Sequence, residues 1–279
     1  MESVRSWLFS PLTRPDRCLA ALRGDADQAI WDLEDSVGQG DKSAARHALR
    51  DLARSLTRED RPPWVRINAL GTPAGADDIA CLEEVGLRRV VLPKVDRESV
   101  ACLANHAAVT DWLLLVETAR SIYELQREPW PIPSSVSVRL AFGALDYRVD
   151  IGARATGGEA ELLWAQSAIV FLSRVHGWPG PIDAVYPQYR DTAGLTQSAT
   201  RSYALGFAGK LAIHPDQIAV IRDAFTPSED DRRWARAVLE AVERGQGVVS
   251  VGGMMVDRPV IERARRMLQE GGSDSPKAP

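Results

Sequence analysis

The sequence predicts a (β/α)8 barrel followed by a short C-terminal extension, and three observations carry that expectation. Short β-rich runs alternate eight times with stretches of helical periodicity. Most of these runs are apolar at successive positions, as parallel strands covered on both faces must be. The eight units fill the first 225 residues, near the roughly 250 typical of such barrels. A doubly wound open sheet is the alternative, and no glycine-rich nucleotide fingerprint supports it.

In chain order the strand runs are 6–11 (SWLFSP), 28–35 (QAIWDLED), 64–68 (WVRIN), 89–95 (RVVLPKV), 112–118 (WLLLVET), 138–146 (VRLAFGALD), 183–188 (DAVYPQ) and 209–215 (GKLAIHP). The clearest helix starts at an Asp41 N-cap and carries Ala44, Ala45, Ala48, Leu49, Leu52, Ala53 and Leu56 as one stripe. Further helices are read over 76–85, 98–106, 159–175 and 216–225, with breakers at Arg61-Pro62-Pro63, 129–133 and 177–181. These units make residues 1–225 the barrel domain and 226–279 an extension. In the extension a helix starts near Ser228 and runs to 242. The glycine-rich, hydrophobic segment 245–259 reads as a hairpin or flap, and Pro259 suits the first turn of a closing helix to about Gln269. Residues 271–279 are expected to be disordered.

Composition narrows the function. With 45% hydrophobic and 26% charged residues the chain is that of a globular protein. Its 34 Lys+Arg against 38 Asp+Glu give a net charge of −4. No cationic block could track a phosphate backbone, so nucleic acid is not an expected partner. No apolar run reaches the ~18 residues of a membrane span, and the opening segment lacks a signal-peptide core. A cytoplasmic protein is expected. Cys18, Cys81 and Cys102 form no CxxC pair, which suits reduced thiols.

A barrel of this kind places its chemistry at the carboxyl ends of its strands, and those ends are charged here. Strand 2 ends in Asp32, Glu34 and Asp35, strand 3 in Arg66 and Asn68, strand 4 in Lys94, and strand 5 in Glu117. Strands 6, 7 and 8 end in Asp146, Gln188 and His214. Any one of these could be a salt bridge or a loop charge. Gathered in one basin, the carboxylates repel unless a cation shares the space. The donors are hard oxygens, and His47, His106, His176 and His214 show no zinc spacing, so Mg²⁺ is favoured over zinc. Glu117 and Asp146 on adjacent strands suffice as its protein ligands, because magnesium keeps several waters or substrate oxygens. Arg66 offers a fork for a carboxylate or a developing oxyanion, or a salt bridge to Glu34 or Asp35. Lys94 could form a Schiff base, but the acids around it favour its protonated form. Arg14 and Arg17 flank Pro15 at a helix start, where they could meet phosphate groups or remain solvated.

The pieces RSWLFSP, IWDLEDSV with KSAAR, WVRIN, VVLPK, LLLVETA, AFGALD, AIHPDQI and MMVDRPV follow one another over essentially the whole chain. Together they resemble the citrate lyase β subunit and malyl-CoA lyase group, the HpcH/HpaI aldolase-like carbon–carbon lyases. The resemblance implies a Mg²⁺-dependent barrel that cleaves a 3-hydroxyacyl thioester, of coenzyme A or an acyl carrier, into an acetyl thioester and a 2-oxo acid, or runs the reverse condensation. It implies Glu117 and Asp146 as metal ligands, Arg66 facing substrate oxygens, and Glu34 and Asp35 close to the metal and its waters. It also implies a C-terminal segment that brings Asp257 to a neighbouring subunit's site, in a homotrimer or a pair of trimers. Asp257 reads equally as an N-cap for the last helix. An aldolase on free 2-oxo acids and a non-catalytic subunit are the alternative functions.

Overall fold

The computed structural model describes residues 4–244, 249–251 and 254–271. Two compact units emerge, Val4–Arg222 and a C-terminal one from Asp223 onward.

The first unit is a closed eight-stranded parallel barrel in sequential order. Its strands are β1 (Ser6–Pro11), β2 (Gln28–Asp32), β3 (Trp64–Arg66), β4 (Arg89–Leu92), β5 (Asp111–Val116), β6 (Ser137–Phe142), β7 (Ile182–Asp183) and β8 (Gly209–Ala212). Closure comes from β8 pairing back on β1, with Ser6 opposite Lys210 and Leu8 opposite Ala212. Helices α1 (Pro15–Arg23), α2 (Lys42–Ser55), α3 (Pro73–Glu84), α4 (Arg97–Leu103), α5 (Ala119–Arg127), α6 (Ala144–Asp150), α7 (Leu163–Val175), α8 (Thr192–Leu205) and α9 (Gln217–Ala224) follow or separate the strands. The barrel is filled by Trp7, Ile30, Trp64, Val91, Leu113, Leu115, Ala141, Ile182 and Leu211. Alternation along each strand turns the intervening side chains outward to the helices.

The sequence-read strands run past the real ones, and the excess has a common cause. Asp-Leu-Glu-Asp, Leu-Pro-Lys and Val-Glu-Thr straddle the points where the ladder stops at the barrel mouth and side chains take over the backbone. The Glu34 N–H donates to Asp32 Oδ1 at 2.9 Å, the Asn68 N–H to Asp78 Oδ2 at 2.9 Å and the Lys94 N–H to Glu117 Oε1 at 2.5 Å. The run 138–146 likewise contains the start of α6, and β7 is only Ile182–Asp183 rather than 183–188. Asp41 makes no capping bond: it ends a 3₁₀ turn, Gln39–Asp41, that leads into α2. Helix α3 opens earlier than read because Thr72 accepts from the Gly75 N–H and Pro73 fits the first turn. A 3₁₀ turn, Ala160–Leu162, precedes α7, so the helix read from 159 starts at Leu163.

Between barrel and helices lies a buried ion pair hidden in an otherwise apolar run. Lys210 Nζ donates to Asp183 Oδ2, and Asp183 also accepts from Gln166 of α7 and Ser202 of α8. Both charged side chains are fully enclosed. Removing one partner of a buried pair leaves the other charge uncompensated. Lys210→Met is therefore expected to destabilise the fold by about 3–5 kcal/mol in urea unfolding, and Lys210→Met with Asp183→Asn to recover part of that loss.

The C-terminal unit pairs α10 (Glu229–Glu243) with α11 (Arg258–Gly271) across a hairpin of β9 (Val249–Val251) and β10 (Met254–Val256). Ser228 and Asp231 cap α10 reciprocally, as its sequence-read start near Ser228 requires. Ala235, Val238 and Ala264 form its buried centre under Trp234, Leu239 and Met267. Residues 245–248 and 252–253 of the expected flap, and the tail 272–279, lie outside the described residues. Among the described residues no helix is long and apolar enough to cross a membrane.

Candidate active site

The carboxyl ends of the strands open onto a cavity of about 350 Å³ whose lining includes Phe9, Asp32, Asp35, Arg66, Glu117 and Asp146. Five of the sequence-read site residues, Glu34, Asp35, Arg66, Glu117 and Asp146, gather at this mouth. Glu117 follows β5 directly and is enclosed, with 1% of its surface exposed. Its position depends on Gly143, the residue after β6. A Cβ there would stand 2.4 Å from Glu117 Oε2 and 2.5 Å from its Cβ, so only glycine lets the glutamate pass. Asp146 sits in the first turn of α6, half-buried, on the neighbouring loop.

Burial, together with the charges of Glu34 and Asp146, pushes the Glu117 carboxyl well above the usual carboxylate range. Burial also raises Glu34, with Asp35 adding to the effect and Arg66 and Lys94 offsetting part of it. These carboxylates therefore meet at the cost of mutual repulsion, and a hard cation between Glu117 and Asp146 would relieve it. The donor set fits Mg²⁺: two oxygen ligands with an open cavity beside them. Among the described residues no cluster of three or more His, Cys, Asp or Glu forms a closed metal cage.

Arg66 makes the salt bridges to Glu34 and Asp35 that the sequence offered as the alternative to a free fork, and a further one to Asp32. Its Nε and Nη2 clasp Asp32 Oδ1 and Oδ2 at 2.6 and 2.7 Å. Nη1 lies 2.9 Å from Glu34 Oε2 and 3.3 Å from Asp35 Oδ2. The Phe9 ring supports the guanidinium from 4.8 Å. Burial favours neutral Asp32, but the bonds and charge of Arg66, with a bond from Ser36, outweigh it and lower its pKa. Asp32 was visible in the sequence as a strand-end acid; its role in aiming Arg66 was not. The signal was position: Asp32 pairs with Arg66 in the register of adjacent strands. Arg66→Lys cannot reproduce this two-pronged clasp. It is expected to lose about 10²–10³ in kcat/KM, little better than Arg66→Ala, as steady-state kinetics would show.

Lys94 adopts φ 47° in the left-handed region, which side chains other than glycine rarely occupy. The turn aims its N–H at Glu117 and its ammonium at Glu34, 3.0 Å away. Burial opposes the charge, yet the bond to Glu34 and the charges of Glu34, Asp35 and Glu117 raise the pKa further. A protonated lysine is a poor Schiff-base nucleophile. His214 stacks on Tyr189 at 4.7 Å, and its Nδ1 accepts from the Asp216 N–H, which makes it part of the turn before α9.

Arg14 and Arg17 lie outside this cluster. Arg14 pairs with Asp16 at 2.9 Å on the surface. Arg17 lines an adjoining hollow of about 470 Å³ that shares Phe9 and Ile213 with the cavity. Asp257 belongs to the C-terminal unit, where its carboxylate accepts from the Val260 N–H at 3.2 Å and caps α11.

The chain is similar to known proteins over nearly its whole length. The chain is 35% identical to a citrate lyase subunit beta-like protein of Deinococcus radiodurans, over 95% of this chain and 96% of the relative. It is 31% identical to an L-malyl-CoA/beta-methylmalyl-CoA lyase of Cereibacter sphaeroides, over 95% and 94% of the two chains. The fold superposes on CitE of Mycobacterium tuberculosis, crystallised with magnesium, acetoacetate and coenzyme A, with a TM-score of 0.84 and 35% identity over 97% of this chain and 99% of that one. The model of one family matches residues 5–215, the stretch that carries the barrel and every acid at its mouth, and the chain belongs to that family, HpcH/HpaI aldolase/citrate lyase.

Proposed function

We propose that this chain, a carbon–carbon lyase by family, cleaves a 3-hydroxyacyl-CoA into acetyl-CoA and a 2-oxo acid with the help of magnesium, or catalyses the reverse condensation. One observation carries the reading: Glu117, wholly enclosed, and Asp146 line one open cavity, and among the described residues no lysine or arginine is paired with either carboxylate. Relatives at 31–35% identity are named as citrate lyase β-like proteins and as a malyl-CoA lyase, and a structural neighbour holds magnesium and coenzyme A together.

The reaction breaks the bond between the thioester's carbon 2 and carbon 3. The hydroxyl on carbon 3 loses its proton and becomes the carbonyl of the oxo acid. The bond's electron pair passes to the thioester as an enolate, which takes a proton at carbon 2. No other reactant is consumed. Magnesium, when bound by Glu117 and Asp146, would supply positive charge to the hydroxyl and carboxylate oxygens and lower the hydroxyl's pKa. Arg66 is assigned the developing negative charge, its Nη1 exchanging part of its contact with Glu34 and Asp35 for the substrate oxygen while Asp32 keeps the guanidinium plane fixed. Lys94 neutralises Glu34 and holds the backbone of its turn against Glu117. Arg17, in the hollow beside the cavity, and Arg14, which pairs with Asp16 on the surface, are assigned the phosphates of the thioester carrier. Asp257 is assigned proton transfer in the site of a neighbouring subunit, within a homotrimer or hexamer.

The purified chain, incubated alone with Mg²⁺ and a panel of 3-hydroxyacyl-CoAs and free 4-hydroxy-2-oxo acids, tests the proposal. Release of acetyl-CoA that stops in EDTA supports it. Turnover of the free acids alone would make the protein an aldolase without a thioester requirement. No turnover of either would leave a non-catalytic subunit.

A further inference from the structure

The cavity has a second character that the catalytic reading does not use. Beside its acids stands a wall of Leu115, Leu145, Val185, Leu211 and Ile213. Leu115 and Leu211 are the top of the barrel's own core. Leu145 and Ile213 are different, because 46% and 43% of their surfaces are exposed at the mouth of an acidic basin. Large aliphatic side chains left uncovered at such a place mark a surface meant for apolar contact.

Charge tells the same story. The lining carries four carboxylates, Asp32, Asp35, Glu117 and Asp146, against one cation, Arg66. Arg66 is already clasped by Asp32 and touches Glu34 and Asp35. The nearest other ammonium, Lys94, is bonded to Glu34 and lines a separate hollow with Lys42. A substrate carboxylate bound where magnesium and the Arg66 edge can reach it is matched. A second carboxylate would have the aliphatic wall on one side and acids on the other, with no further side-chain cation in the cavity's lining to pair it; Arg17 stands in the adjoining hollow and is assigned the carrier phosphates.

Resting on the thioester-lyase reading, we infer that the acid partner of this site is a 2-oxo monocarboxylate with hydrogen or a short alkyl group on its carbonyl carbon, and that Leu145 and Ile213 select it against 2-oxo dicarboxylates. The alkyl group lies against the wall. The same residues make the matching hydroxyacyl thioester one with a single free carboxylate.

The test uses the full-length chain loaded with Mg²⁺. Condensation of acetyl-CoA is followed with glyoxylate, pyruvate, oxaloacetate and 2-oxoglutarate. The best monocarboxylate is expected to exceed both dicarboxylates by about 10²-fold in kcat/KM. Leu145→Arg and Ile213→Arg, each placing a cation on the wall, should narrow that ratio by tenfold or more. Equal or better use of oxaloacetate by the unaltered chain would overturn the inference and show that a cation reaches the site from elsewhere. Calorimetric titration of the same acids into the Mg²⁺-loaded chain, without acetyl-CoA, separates this failure from that of the lyase reading. If nothing condenses, the lyase reading falls, while tighter binding of pyruvate than of the dicarboxylates still upholds the selectivity and the reverse order refutes it.

Discussion

Glu117→Ala and Asp146→Ala are each expected to abolish Mg²⁺-dependent turnover, a loss of about 10³-fold or more, while circular dichroism stays that of the intact barrel. Each substitution takes one of two carboxylate ligands from a site whose other acids are already paired: Asp32 and Asp35 with Arg66, and Glu34 with Arg66 and Lys94. The fold should tolerate the change, because burial and the neighbouring acids oppose the charged form of Glu117, and the one bond lost with it is that from the Lys94 N–H. Turnover that persists in both variants and in EDTA would remove the metal from the mechanism.

Mixing two inactive proteins should restore activity. Asp257 is proposed to work in a neighbour's site, although within its own chain it caps α11. In a shared site Glu117→Ala contributes an intact C-terminal segment and Asp257→Ala an intact barrel. After subunit exchange about a quarter of the sites would hold both intact parts, and activity should approach that fraction of the unaltered enzyme. Asp257→Asn serves as the control for the cap, since asparagine caps a helix as well as aspartate. If Asp257→Asn is inactive with an unchanged melting temperature, the carboxylate acts beyond the cap. Proven exchange without recovered activity would confine Asp257 to α11.

Much of the barrel was legible because its strands are apolar on both faces and its acids sit where strands end. The eight runs each fall on a strand, from SWLFSP on β1 to GKLA on β8. Their ends were misplaced for the reason that makes them functional: at Asp32, Lys94 and Glu117, side chains replace the ladder as hydrogen-bond partners, and a sequence pattern does not distinguish the two. The Arg66–Asp32 clasp was harder to read because it depends on cross-strand register, which joins residues 34 positions apart. Lys210 and Asp183 were likewise invisible as a pair. Each stands in an apolar run, and the pairing of β7 with β8, which sets Asp183 opposite Lys210, brings them together. The charge conflict at the mouth, by contrast, followed from composition and topology alone.

That conflict gives the most direct measurement. The Glu117 pKa is raised in the folded chain above its unfolded value. The stability it contributes is fully present below the unfolded pKa and lost as pH rises through the folded pKa. At neutral pH in EDTA the raised Glu117 pKa should therefore weaken the fold. Glu117→Gln keeps the acceptor for the Lys94 N–H and discards the charge. Thermal melts of the two proteins, in EDTA and in Mg²⁺, should place Glu117→Gln above the unaltered chain without metal. Magnesium should then raise the melting temperature of the unaltered chain and leave the variant where it was. Equal shifts in both proteins, or none in the unaltered chain, would contradict a magnesium site at Glu117 and Asp146.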